Sequence, residues 1–254
     1  MDRGSGQDRA LQMQQHYDRF LARHYLWMAG GFAENAEKTR RFLATHGIVP
    51  RDSKIAIDLG AGCGIQSIPL AESGFTVHAV DLSGALLAEL AARSGSLPVT
   101  MHEGDIRSFP LWAGLFPELI LCMGDTLTYL PDMEAVEELI RHCHAELRPG
   151  GKCILTFRDY STAAEGTIDV VPVQRDADRI FLCRLEYGSD SVTGTDILYT
   201  RSEGRWSRTA SSYTKLRIRP WAFRQLLTGA GFGIAYWGTG SGIITIIAGK
   251  PSSP

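Results

Sequence analysis

Apolar and polar positions set the rhythm of the chain, and the rhythm changes along its length. Over 8–30, Leu11, Asp18, Leu21 and Tyr25 fall at helical spacing, and Gly30-Gly31 stops the run. A second helix is expected over about 33–46, with Ala36, Phe42 and Leu43 apolar and Gly47 just past its end. Short apolar runs then alternate with helical ones. "KIAIDLG" (54–60), "FTVHAVDLS" (75–83), "PVTMHEGDI" (98–106), "LFPELILCMG" (115–124) and "KCILTFRDY" (152–160) read as strands. "IQSIPLAESG" (65–74), "GALLAELAARSG" (84–95) and "MEAVEELIRHCHAELRPGG" (133–151) read as helices; Pro69 is an irregularity in the first of them. Such alternation predicts a parallel sheet covered by helices on both faces.

Residues 161–219 break the alternation. "DVVPVQ", "RIFLCRLEY", "TGTDILYT" and "WSRTASSYTKLRIR" are strand-like, joined by Gly, Ser and Asp turns, with no helix among them. They read as an antiparallel insertion. "PWAFRQLLTGAGF" (220–232) returns to a helix with Pro220 in its first turn, and "GIAYWGTGSGIITIIAGKP" (233–251) reads as two strands around a glycine bend.

Composition narrows the partners. The chain has 254 residues, 44% hydrophobic and 21% charged, which suits one domain with an insertion. Its 26 basic and 28 acidic residues leave a formal charge of −2, which argues against nucleic acid as the main partner. The five cysteines are scattered without a C-x-x-C pair, so no metal site is expected and a reducing cytoplasm is. The polar N-terminus and the lack of an apolar run of about 18 residues speak against export and against a membrane span. His142 and His144 are two apart on a helix and point to different sides, so they do not read as a metal pair.

Candidate chemistry gathers at the strand ends. "DLGAGCGIQ" (58–66) places three glycines directly after the first strand, where ligands of open α/β sheets bind. Asp81 ends the second strand, where a carboxylate can accept both hydroxyls of a ribose, and Asp105 ends the third, within reach of an adenine amino group. A dinucleotide fingerprint wants a small residue where Ile65 stands, and the Asp58 carboxylate would repel a pyrophosphate. That carboxylate would instead attract an ammonium group. S-adenosylmethionine has one and carries no phosphate.

These residues resemble the class I S-adenosylmethionine-dependent methyltransferases. "AIDLGAGCG" is similar to their first motif, "VHAVDLS" to their second-strand acid, "EGDI" to their adenine-contact segment, and "ELRPGGKCILTF" to the helix, turn and strand further on. A narrower likeness, in "GIQSIPLAESGFTVHAVDLSGALL", "CMGDTLTYL" and "FRDY", is to small-molecule enzymes of the glycine/sarcosine N-methyltransferase kind. There Asp125 stands where that subgroup often has Asn. The resemblance implies a Rossmann-like, doubly wound, seven-stranded, mostly parallel sheet with an N-terminal helical cap and an antiparallel β insertion. The expected division is a helical lid at 1–32, a core at 33–160 and 216–254, and an insertion at 161–215 roofing the substrate pocket.

The resemblance also implies a site. Asp58, Gly60, Ala61, Gly62 and Gly64 would face the methionine end of S-adenosylmethionine. Asp81 and Leu82 would take the ribose, and Asp105 and Ile106 the adenine. Met123 and Gly124 would pass the sulfonium. On the acceptor side, Asp125 is expected to hold an amine or hydroxyl, and Arg158 to pair with a substrate carboxylate, beside Tyr160 on the same edge. Tyr17, Tyr25 and Tyr213 are candidates for closing the pocket, with Gly30-Gly31 as a hinge. The expected reaction is in-line methyl transfer to nitrogen or oxygen of a small molecule, by an enzyme without a metal, with a homodimer as the candidate assembly. A non-catalytic cofactor-binding protein of the same fold, and a nicotinamide oxidoreductase, are the alternatives.

Overall fold

The computed structural model describes residues 3–252. Its first helical run is α1 (Arg3–His16), a π turn (Tyr17–Leu21) and α2 (Ala22–Met28). The run starts earlier than residue 8, where its apolar spacing begins, and Gly4 and Gly6, poor helix formers, hide its first turns in the sequence. Next come α3 (Phe32–Thr45), β1 (Ile55–Leu59), α4 (Ser67–Glu72), β2 (Thr76–Asp81), α5 (Gly84–Ser94), β3 (Val99–Glu103) and β4 (Leu119–Cys122). Pro69 sits in the first turn of α4, where an N–H has no intrahelical partner to lose, so it does not kink the helix. A 3₁₀ turn (Thr126–Tyr129), α6 (Met133–Glu146) and β5 (Lys152–Arg158) complete the alternating part.

The main sheet has the order β10-β11-β5-β4-β1-β2-β3, with β10 (Gly233–Gly240) and β11 (Ile243–Gly249) antiparallel at one edge. β1 pairs in parallel with β2 on one side and β4 on the other, so the strand order reverses there. That switch point opens a crevice above the C-terminal ends of β1 and β4. One face of the sheet packs on α6 and α7 (Pro220–Gly229) through Trp112, Phe157 and Phe223, all fully buried. The other packs on α3 and α4 through Leu43, Leu70 and Phe75. Ser83 caps α5 by accepting the Leu86 N–H, and Leu87 and Leu90 of that helix pack against Ala79 of β2.

A second sheet is made of β6 (Ile168–Arg175), β7 (Arg179–Tyr187), β8 (Ser191–Ser202) and β9 (Arg205–Leu216) in simple antiparallel order. The N-terminal run bridges the two sheets. His16 lies against Ser211 of β9, with Nδ1 2.9 Å from the hydroxyl, and its Nε2 is 3.3 Å from Asp196 of β8. Two residues later, Asp18 accepts the Ser83 hydroxyl at 2.5 Å. The π turn begins directly after His16 and contains Asp18, a place where an extra residue re-aims the side chains that follow.

The packing of β5 on α7 yields a prediction. Phe157 and Phe223 meet edge to face with centroids 5.0 Å apart. Phe157→Ala is expected to lower unfolding free energy by about 3–5 kcal/mol, read by denaturant unfolding.

Candidate functional site

The loop after β1 is shaped by its glycines. Gly60, Gly62 and Gly64 all have positive φ, from 52° to 90°. Gly60 and Ala61 donate their N–H groups to the Val80 carbonyl at 2.8 and 3.1 Å. Gly62 donates to one Asp81 oxygen and Ser83 to the other, both at 2.8 Å. Burial raises the Asp81 pKa, and the N–H groups of Ser83 and Gly62 oppose the shift. A Cβ at Gly60 would stand 2.4 Å from the Thr126 hydroxyl, so the loop closely approaches the segment after β4.

Between these loops lies a cavity of about 220 Å³. One wall is Gly60, Ala61, Gly62 and Ile65, the next is Asp81 and Leu82, and the far end is Asp105, Ile106 and Arg107. Met123, Gly124 and Asp125 form the floor at the end of β4. Gly124 is held by Thr156, which donates to its carbonyl at 2.9 Å. The Asp105 carboxylate accepts the Arg107 N–H at 2.9 Å and lies 2.6 Å from its guanidinium. Ten of the eleven residues expected around the cofactor thus divide clearly: nine line this one cavity, and Gly64 does not. Gly64 serves packing instead, since a Cβ there would meet the Leu90 side chain at 2.4 Å.

Asp58, the eleventh, is also outside the lining and requires a correction. Its carboxylate is 1% exposed and accepts the Ser67 hydroxyl at 2.6 Å beneath α4. Its side chain packs into the interior and does not line the cavity. Burial pushes its pKa up to about 7, with the Ser67 bond opposing and the Asp81 charge adding.

The acceptor side also departs from expectation. Asp125 lines the cavity, but Arg158 and Tyr160 do not. The Arg158 side chain is exposed and reaches the Ser241 carbonyl at 3.4 Å, while its backbone N–H donates to Asp125 Oδ1 at 3.0 Å. Tyr160 is buried and donates its hydroxyl to Asp125 Oδ2 at 2.8 Å. The same oxygen receives Lys215 Nζ at 2.6 Å, a partner that sequence reading missed. Burial works against the Lys215 ammonium, yet Asp125 and the neighbouring tyrosines hold its pKa well above the ordinary lysine range.

The helical run, rather than the insertion, covers the cavity directly. Ala10, Met13, Tyr17 and Tyr25 line it, together with Tyr129, Leu130 and Pro131. The insertion stands behind them: Tyr213 packs edge-on against Tyr129 at 5.7 Å, and Tyr129 separates it from the cavity. Tyr17 and Tyr129 meet edge to face with ring centroids 6.3 Å apart, and burial raises the pKa of both phenols, which stay neutral. Among the described residues, no group of three or more His, Cys, Asp or Glu could hold a metal ion. Nor is any helix long and apolar enough to cross a membrane.

Comparison with known proteins agrees with this geometry. Residues 56–151 match the family described as a methyltransferase domain. The putative methyltransferase YqeM of Bacillus subtilis (strain 168) is 30% identical over 146 residues, 57% of this chain and 58% of that protein. The cypemycin N-terminal methyltransferase of Streptomyces sp is 31% identical over 110 residues, 43% of this chain and 44% of that protein. The chain spans about half the length of the curated relatives it matches. Among solved structures, the CcbJ methyltransferase from Streptomyces caelestis superposes with a TM-score of 0.72 at 16% identity, over 84% of this chain and 94% of that one. CalS10, an amino pentose methyltransferase from Micromonospora echinaspora bound to S-adenosylmethionine, gives 0.69 at 18% identity, over 86% and 90%. The chain has the fold of the class I S-adenosylmethionine-dependent methyltransferases, and the residues that match a methyltransferase-domain family run from β1 to the turn before β5.

The buried acid gives a prediction with a definite sign. Native Asp58 keeps its proton up to about 7, whereas the unfolded chain loses it near 3.8. Its contribution to stability is therefore full below the lower value and is lost as pH rises through the higher one. Asp58→Asn is expected to flatten this slope, read as the difference in thermal midpoint between the two proteins from about pH 4 to about pH 8.

Proposed function

We propose that this protein transfers a methyl group from S-adenosylmethionine to nitrogen or oxygen of a small-molecule acceptor. The observation that carries the reading is that Gly60, Gly62, Asp81, Asp105, Met123 and Gly124 meet in one cavity at the switch point of the sheet. The cavity fits the nucleoside. Its rim turns at Gly60, where a Cβ would collide with Thr126 across the loop, Asp81 offers carboxylate lone pairs for ribose hydroxyls, and Ile65 occupies the place a dinucleotide fold keeps small.

In this reading Gly60, Ala61 and Gly62 hold the amino-acid end, Asp81 and Leu82 the ribose, and Asp105 and Ile106 the adenine. Met123 and Gly124 lie beside the sulfur. Bound there, the cofactor supplies a methyl group already activated by a positive sulfur, so its leaving group needs no acid. The protein's part is alignment and exclusion of water. Tyr17, Tyr25 and Tyr129 enclose the acceptor half with aromatic faces and neutral phenols, and Met13 adds an adaptable apolar contact. Asp125 is the carboxylate on that side, placed to accept a hydrogen bond from the acceptor's N–H or O–H. Arg158 is not part of this proposal, because its guanidinium points away from the cavity.

CalS10, an amino pentose methyltransferase of the same fold, supports a small polar acceptor here, and the −2 formal charge does not favour a polyanion. The five cysteines are free thiols, in keeping with a cytoplasmic location.

Isothermal titration with S-adenosylmethionine, S-adenosylhomocysteine and NAD tests the reading. Binding of the first two and none of the third is expected; binding of NAD alone would overturn it. Gly60→Ala, whose Cβ would collide with Thr126 at a φ of +79°, is expected to weaken S-adenosylmethionine binding by about tenfold or more in the same titration.

A further inference from the structure

Lys215 is the one buried lysine beside the acceptor half of the cavity, and nothing in the reading above gives it a task. It lies on β9, in the insertion, and is 7% exposed. Its ammonium is 2.6 Å from Asp125 Oδ2 and 3.0 Å from the Tyr160 hydroxyl. Three rings surround it, with centroids 4.8 Å (Tyr129), 5.3 Å (Tyr213) and 5.5 Å (Tyr160) away. The ammonium does not reach the cavity; Asp125 and Tyr129 stand between. A buried lysine is costly unless paired, and here its partner is the carboxylate that faces the ligand.

The way Asp125 is held is the telling feature. Oδ1 accepts the Arg158 N–H, and Oδ2 accepts both Tyr160 and Lys215. A carboxylate held from three directions is fixed in place, and its charge is cancelled by a neighbour of opposite sign. The cofactor half of the same cavity is built for a sulfonium cation. An uncompensated carboxylate at Asp125 would attract that cation in the resting complex. The attraction would be lost once the methyl group has left and the sulfur is neutral. Binding spent that way tightens the ground state without lowering the barrier.

We propose that Lys215 is a positioning residue that locks Asp125 at the cavity floor and neutralises it, so that the site does not hold the cationic cofactor more tightly than its neutral product through this carboxylate. The inference rests on the S-adenosylmethionine reading of the site. It also gives the insertion a specific role: one of its side chains sets the charge seen from the cavity without touching the ligand.

S-adenosylmethionine and S-adenosylhomocysteine differ by one methyl group and one positive charge, so the ratio of their affinities reads the local potential directly. Titration of the full chain at neutral pH gives that ratio. In Lys215→Met, S-adenosylmethionine is expected to gain on S-adenosylhomocysteine by about fivefold or more, since an unpaired charge acts across a cavity of this size at low effective dielectric. Lys215→Arg should keep the wild-type ratio, and the double variant Lys215→Met with Asp125→Asn should return to it. Asp125→Asn alone leaves the ammonium uncompensated and should move the ratio the opposite way, which keeps the test open where Lys215→Met does not fold. A ratio unchanged in both single variants, with both nucleosides still bound, overturns the proposal. Failure of the wild-type chain to bind either nucleoside would instead overturn the methyltransferase reading.

Discussion

The Asp81 carboxylate, at the tip of β2, receives the Gly62 N–H on one oxygen and the Ser83 N–H on the other. Those two bonds, with Gly60 and Ala61 on the Val80 carbonyl, fasten the glycine loop of the first strand to the end of the second. A partly buried carboxylate is stabilised when bonded in this way. Once it is, the loop cannot drift, α5 starts where Ser83 caps it, and the crevice between β1 and β4 has a fixed wall. The positive φ values at Gly60, Gly62 and Gly64 are the backbone's side of the same constraint. Side chains elsewhere on the rim matter because this corner is rigid.

A second polar cluster organises the opposite side. The Asp125 carboxylate, the Lys215 ammonium and the Tyr160 hydroxyl join three segments that are far apart in the chain: the turn after β4, the end of β9, and the end of β5. The helical run completes the enclosure through Tyr17, which meets Tyr129 from above. The cavity therefore has a wall built by local backbone chemistry and a wall built by long-range pairing.

That difference explains what could be read from the sequence. Strand periodicity and turn residues located every strand of both sheets to within a few residues, because those signals are local. Asp81, Asp105 and Met123-Gly124 could be placed on one edge since parallel strands must end together. Asp58 could not be aimed. A central parallel strand is buried on both faces, so alternation does not tell which face a given side chain takes, and here it turns under Ser67. Arg158 misled for a related reason: a strand end fixes the backbone's position but leaves a long side chain free to turn outward. Lys215 left one faint signal. It is two residues from Tyr213, so period-two alternation puts a charge on the buried side of β9. Its partner lies 90 residues away, beyond any spacing rule.

Among the described residues the two sheets share no hydrogen-bonded ladder. Each can therefore accumulate substitutions along its strands without forcing a register change in the other. The exposed faces of β6, β7 and β8 can therefore vary while the glycine corner between β1 and β2 keeps its bonds. Lys215 is one place where that independence ends: a replacement there would call for a matching change at Asp125, on the other side of the seam.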